Sequence, residues 1–114
     1  MRNLAVIISS GKNEKEKVLT ALTFANVAKK NKLFDDVKLI LFGPSERLVA
    51  ENDKDVMKLL DDFNSLGEKP LACQVVANNF NIIDDLQKAQ NIKIERVGPI
   101  IKELSEKNYE IMTF

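Results

Sequence analysis

One hundred and fourteen residues, 45% of them hydrophobic, can build one core and hardly two, so residues 1–114 read as a single domain. Seventeen Lys plus Arg balance 17 Asp plus Glu, which removes the sequence-independent attraction to phosphate backbones and anionic lipid, and neither nucleic acid nor membrane is expected as a partner. Histidine is absent, which excludes a Ser-His-Asp triad, a Cys-His couple, a histidine-ligated zinc and an imidazole base, and the single cysteine, Cys73, allows neither an internal disulfide nor a multi-cysteine metal site. No metal and no cofactor are expected, and a lone thiol fits a reducing, cytoplasmic setting.

In chain order, the first apolar run, Leu4 to Ile8, is far too short to span a bilayer, and Arg2 and Asn3 are not followed by an apolar region of signal length. It reads as a strand covered on both faces, as does Val37 to Phe42; shorter runs follow at Leu71 to Val76, Ile92 to Val97 and Tyr109 to Phe114. Between the first two, Asn13 is placed to cap a helix with Glu16 in the capping-box position, and Val18, Ala21, Leu22, Ala25 and Ala28 recur at helical spacing as far as Asn31. The spacing predicts a second helix from Asp53 to Leu66, with Val56, Leu59, Leu60, Phe63 and Leu66 facing inward and Gly67 in the left-handed position after its end. A shorter helical segment, opened by Pro44, falls between Gly43 and Asn52. Gly43-Pro44 and Gly98-Pro99 each follow a strand candidate and precede a helical pattern, a shared turn chemistry in which glycine permits a tight exit and proline presets the first helical φ. Strands alternating with helices imply βαβ units and a mainly parallel five-stranded sheet in an α/β fold.

In such a sheet the loops at the carboxyl ends of the strands gather on one edge, where ligands bind. Here they are Ser9 to Asn13, Gly43 to Arg47, Cys73 to Asn79, and Gly98-Pro99. Ser9-Ser10-Gly11-Lys12 has the amides and ammonium to cradle an anion, but neither a dinucleotide-binding nor a P-loop glycine pattern is present, and the competing reading is an ordinary strand-to-helix turn. Cys73 lies where a strand ends and a helical segment starts, a place that favours the thiolate; the competing reading is a small buried hydrophobe among Leu71, Ala72, Val75 and Val76. The pairs Asp35-Asp36, Asp61-Asp62 and Asp84-Asp85 sit at helix ends or on polar faces and are not expected to catalyse.

Taken in order, this pattern resembles the DsrE/DsrF-like family of small sulfur-relay proteins over almost the whole chain. The stretch Gly67-Glu68-Lys69-Pro70-Leu71-Ala72-Cys73 matches the family's helix-ending glycine, short strand and functional cysteine. Cys73 to Ile82 is similar to its short following helix, with Asn81 in place of glycine; Asn91 and Asn108 also stand where the family tends to have glycine, and asparagine is the best non-glycine residue for the left-handed region. Pro70 within the strand departs from the pattern by removing one ladder donor, and no basic motif stands near Cys73.

The resemblance implies a three-layer α/β/α sandwich, a cysteine that carries sulfane sulfur as a persulfide, and a homo-oligomer, trimer or hexamer. On this reading the protein is an intracellular sulfur carrier or sulfurtransferase in which Cys73 is catalytic and exchanges sulfur with protein thiol or persulfide partners. Ser10, Gly11, Gly43, Gln74 and the amides after Cys73 would bind or stabilise the departing thiolate, with Lys12 and Arg47 as sources of positive potential. The alternative is a non-catalytic oligomeric scaffold or small-ligand-binding protein with a structural Cys73. Thiol redox sensing would need a resolving cysteine from another chain.

Overall fold

The computed structural model describes residues 2–114. β1 (Asn3–Ile8), β2 (Asp36–Leu41), β3 (Leu71–Cys73), β4 (Lys93–Glu95) and β5 (Tyr109–Thr113) form one parallel sheet in the order β4-β3-β2-β1-β5. The helices are α1 (Lys15–Lys30), α2 (Ser45–Ala50), α3 (Lys54–Ser65), α4 (Gln74–Asn79), α5 (Ile83–Gln87) and α6 (Val97–Glu106). Among the described residues no helix is long and apolar enough to cross a membrane.

Alternation along the strands builds two unequal cores. Leu4, Val6, Ile8, Val37, Leu39, Leu41 and Ala72 point to one face, where α1 and α3 cover them with Val18, Leu22, Val56, Leu60 and Phe63, extended by Leu48 of α2 and Leu86 of α5. Ala5, Ile7, Ile40 and Cys73 point to the other, against Val97 and Leu104 of α6. The continuous apolar run of β1 follows from this, because both its faces are dry beyond Asn3; β2 beyond Asp36 is covered in the same way except at half-buried Lys38.

The second helix spans nearly the expected residues, and Gly67 takes φ +106° after its end; of the five positions expected inward, Val56, Leu60 and Phe63 are buried and Leu59 and Leu66 half-buried. Asp53 caps α3 by accepting from the N–H groups of Asp55 and Val56, both at 3.1 Å. The five predicted inward positions of α1 are all buried, but its start differs. A 3-10 turn over Lys12–Glu14 precedes it, and neither the Asn13 cap nor the Glu16 box forms. The chain enters α1 under tertiary control, since Gly11 lies so close to Pro44 that an added Cβ would sit 2.7 Å from the proline Cβ.

The two shorter apolar runs divide. Leu71–Val76 is strand only to Cys73 and then becomes α4; Ile92–Val97 is strand over Lys93–Glu95, and Val97 already begins α6. An apolar run does not distinguish a strand end from the buried first turn of a helix. For the same reason Gly98-Pro99 lies inside the first turn of α6, while Gly43 makes a true tight exit at φ +129°. Pro70 precedes β3, and its carbonyl accepts from the Lys93 N–H at 2.9 Å, so no donor is lost within the strand.

Asn81 (φ +58°) and Asn108 (φ +62°) are left-handed as expected, and Lys32 (φ +54°) and Asn52 (φ +55°) join them. Asn91 is not left-handed: it is buried, and its Nδ2 donates to Asp61 Oδ1 at 2.9 Å and to the Met57 carbonyl at 3.3 Å, tying the start of β4 to α3.

Candidate functional site

Cys73 ends β3, beside β4 and opposite Glu95. From β3 the chain passes into α4 and α5, whose Ala77 and Leu86 pack on the α1 and α3 side; from β4 it passes into α6 on the opposite side. Adjacent parallel strands whose outgoing connections leave toward opposite faces open a crevice at their carboxyl ends, and this is where open α/β sheets take ligands. The cysteine side chain itself is 3% exposed, within the apolar cluster under α6. Its following helix has only six residues, too short for its N-terminus to serve as an anion site.

Next to Cys73 stands a residue that pattern reading missed. Glu46 on α2 is completely buried. Its Oε2 accepts from the Gly43 N–H at 3.2 Å, the Cys73 N–H faces the same carboxyl, and its Oε1 has no hydrogen-bond partner among the described residues. Burial raises its pKa to about 7, opposed by the Gly43 and Cys73 amides, which favour the charged form. The neighbouring Ser45 is also buried, and its Oγ donates to the Ile8 carbonyl at 2.6 Å while its N–H donates to the Ser9 carbonyl at 3.2 Å. The first turn of α2 therefore fastens together the carboxyl ends of β1, β2 and β3. Sequence offered little signal for this, because Pro-Ser-Glu-Arg reads as an exposed polar turn and Glu is almost never buried without a partner.

The expected binding residues separate. Ser10, Gly11, Lys12 and Arg47 line a cavity of about 330 Å³ between the exit of β1 and α2; Cys73, Gln74 and Gly43 are not among its walls. Gln74 is exposed at the start of α4. Two amides expected to stabilise a departing thiolate are already engaged: Ser10 N–H donates to the Phe114 carbonyl at 3.2 Å, and Gly43 N–H to Glu46. The two cations are engaged as well, Lys12 with Glu51 at 3.3 Å and Arg47 over the Phe80 ring at 4.2 Å.

On the face carrying Cys73, a groove of about 540 Å³ runs beside α6, bounded by Lys38, Glu68, Leu71, Lys93, Glu95 and Tyr109 among others. Its inner wall holds a charge cluster in which Lys38 meets Glu68 at 2.8 Å and Tyr109 donates to Asp36 at 2.5 Å. Burial and the Asp36 carboxylate push the Tyr109 hydroxyl up to about 12, so it stays a donor. No group of three or more His, Cys, Asp or Glu among the described residues is arranged to hold a metal ion.

Neither a family model nor a curated protein matches the chain. Solved structures do share the fold. The E. coli ychN protein superposes with TM-score 0.82 at 11% identity, covering 100% of both chains. BT1422 from Bacteroides thetaiotaomicron, a conserved protein of unknown function, gives TM-score 0.79 at 22% identity, covering 96% of this chain and 94% of its own. MTH1491 from Methanobacterium thermoautotrophicum, also of unknown function, gives TM-score 0.69 at 14% identity over 98% of this chain and 100% of its own.

Proposed function

We propose that the protein is a DsrE/DsrF-like sulfur carrier in which Cys73 holds sulfane sulfur as a persulfide. The observation that supports this reading is the position of the only cysteine, at the carboxyl end of β3 where the connections from β3 and β4 diverge to opposite faces. In the transfer the Cys73 thiolate attacks the outer sulfur of a donor persulfide, the donor S–S bond breaks, and the donor leaves as a thiolate. An acceptor thiolate then takes the same sulfur, and no net oxidation occurs. With Cys73 so deeply covered, loading requires the partly buried rim of its cluster, Val76, Ile100 and Ile101, to move aside.

The test is mass spectrometry of the intact protein after exposure to a sulfane-sulfur donor. Wild type is expected to gain one sulfur atom on Cys73 and Cys73→Ser none; no gain by wild type with any donor tested overturns the reading. Since the thiol is buried, Cys73→Ser is also expected to lose about 1 to 3 kcal/mol of stability whatever its function, so sulfur loading and not the melting curve decides.

That burial favours a second reading, a structural Cys73 in a protein that binds or scaffolds without covalent chemistry. Fast, stoichiometric modification of Cys73 by a thiol reagent in the folded protein counts against it.

A further inference from the structure

The two edges of the sheet are finished differently. β4 has three residues, of which Lys93 and Glu95 are charged and paired with each other at 3.2 Å, a short charged edge of the kind that resists addition of another strand. β5 has five residues, with no lysine and no proline, and its one charge, Glu110, is already met by Arg2. The direction of its free backbone groups follows from the bonds at its end. Phe114 gives its N–H to the Ile7 carbonyl at 2.8 Å and accepts the Ser9 N–H at 2.8 Å, so its backbone faces β1. By the alternation of a strand Glu110 and Met112 face β1 as well, and the N–H and C=O groups of Tyr109, Ile111 and Thr113 point outward, where no strand of the described residues meets them.

Side chains alternate too. Ile111 lies on the α6 face beside Ala5, Met112 on the α1 face beside Val6, and both are exposed. On the α1 face the apolar surface continues to Phe24, whose ring centroid lies 6.4 Å from that of Phe114, and to exposed Val27 one turn further along the helix.

We propose that β5 is a self-pairing edge: two copies of the chain join antiparallel about a two-fold axis through Ile111, making one continuous sheet from two of five strands. In this register Ile111 exchanges N–H and C=O with Ile111 of the second copy, and Tyr109 does so with its Thr113, so every outward group of one strand meets an outward group of the other. The side chains agree. Ile111 meets itself on one face, Glu110 meets Met112 on the other, and no like charges stand opposite each other. The neighbouring registers that keep the faces matched are poorer: centring on Glu110 sets two carboxylates together, and centring on Met112 pairs three residues of each strand in place of five. A second copy is therefore the occupant this edge fits, and a net charge of zero lets two copies approach without repulsion. Pairing of five residues a side falls short of the roughly 1,000 Å² that a stable interface buries, so the apolar flanks, Phe24 and Val27 of α1, are covered with it.

The inference needs no sulfur chemistry, and Cys73 on β3, separated from β5 by β2 and β1, takes no part in it. Light scattering of wild type is expected to give an even number of copies. Oxidation of Ile111→Cys is expected to link the chain into covalent dimers, because the axis brings the two Cα atoms within about 5.5 Å. Thr113→Cys, whose own copy lies roughly 14 Å away in this register, is expected not to link. Ile111→Lys sets like charges on the axis and is expected to weaken association at least about tenfold, with the circular dichroism of the fold kept. A monomeric or odd-numbered wild type overturns the proposal, as does association that Ile111→Lys leaves unchanged. Should Ile111→Lys not fold, the cysteine variants decide alone: linking at 111 without linking at 113 supports the register, and failure to link at 111 overturns it.

Discussion

Glu46 binds a proton more tightly in the folded chain than in the unfolded one, with its pKa raised from 4.5 to about 7 by burial. The stability that goes with the bound proton is complete below the unfolded value and is lost as pH rises through the folded one, a difference of about 3 kcal/mol. Asp36 and Asp53 act in the opposite sense. Burial pushes each up, but Tyr109 with Lys38 and Lys29 in one case, and Lys15 with two backbone amides in the other, hold them below the usual range. Their contribution is lost only on the acid side. Thermal unfolding is therefore expected to show Tm falling from about pH 5 to 8 in wild type and much less in Glu46→Gln, and equal slopes in the two proteins contradict the assignment. The asparagines divide by backbone. Val at Asn81 or Asn108 should cost about 1 to 2 kcal/mol and Gly nothing, because both are left-handed, whereas Gly at Asn91 should cost about 1 to 3 kcal/mol by leaving the Asp61 and Met57 acceptors without their donor. Urea titrations of the three Gly variants check this, with Asn91→Gly alone expected to be destabilised.

Among the elements, those with long periodic patterns were legible from sequence. The buried positions of α1, the extent of α3 and the strands β1 and β2 each follow from spacing that tertiary contacts reinforce. The short elements were not. β3 and β4 have three residues apiece, and their length is set by where α4 and α6 dock, which no local pattern records. The position of Cys73 could be read, but the pairing of its amide with Glu46 could not, since it joins residues 27 apart through a turn whose sequence looks solvated. Two glycines make the contrast measurable. At Gly43, φ is +129° and a Cβ would lie 2.9 Å from Ser9 Oγ, so Gly43→Ala should cost at least about 1 to 2 kcal/mol. Nothing lies within 4 Å of a Cβ at Gly98 in α6, and Gly98→Ala should gain about 0.5 kcal/mol. Chemical denaturation separates the two signs.

Across the whole molecule the two faces of the sheet are covered unequally, by five helices on one side and by α6 on the other. Edge strand β5 carries Ile111 and Met112, 40% and 41% exposed, and an exposed apolar edge is a ready template for pairing with another chain. Self-association into a homo-oligomer is expected, and a monomer mass in light scattering across a wide concentration range contradicts it. The single cover over Cys73 also sets how long anything bound there survives. On the sulfur-carrier reading proposed above, a persulfide beneath α6 would be shielded from dissolved thiols for as long as that helix stays down, and each lifting would expose cargo and carrier alike. The protein would then discharge at a rate scaled down by the local unfolding of ten residues, with a shallow dependence on denaturant.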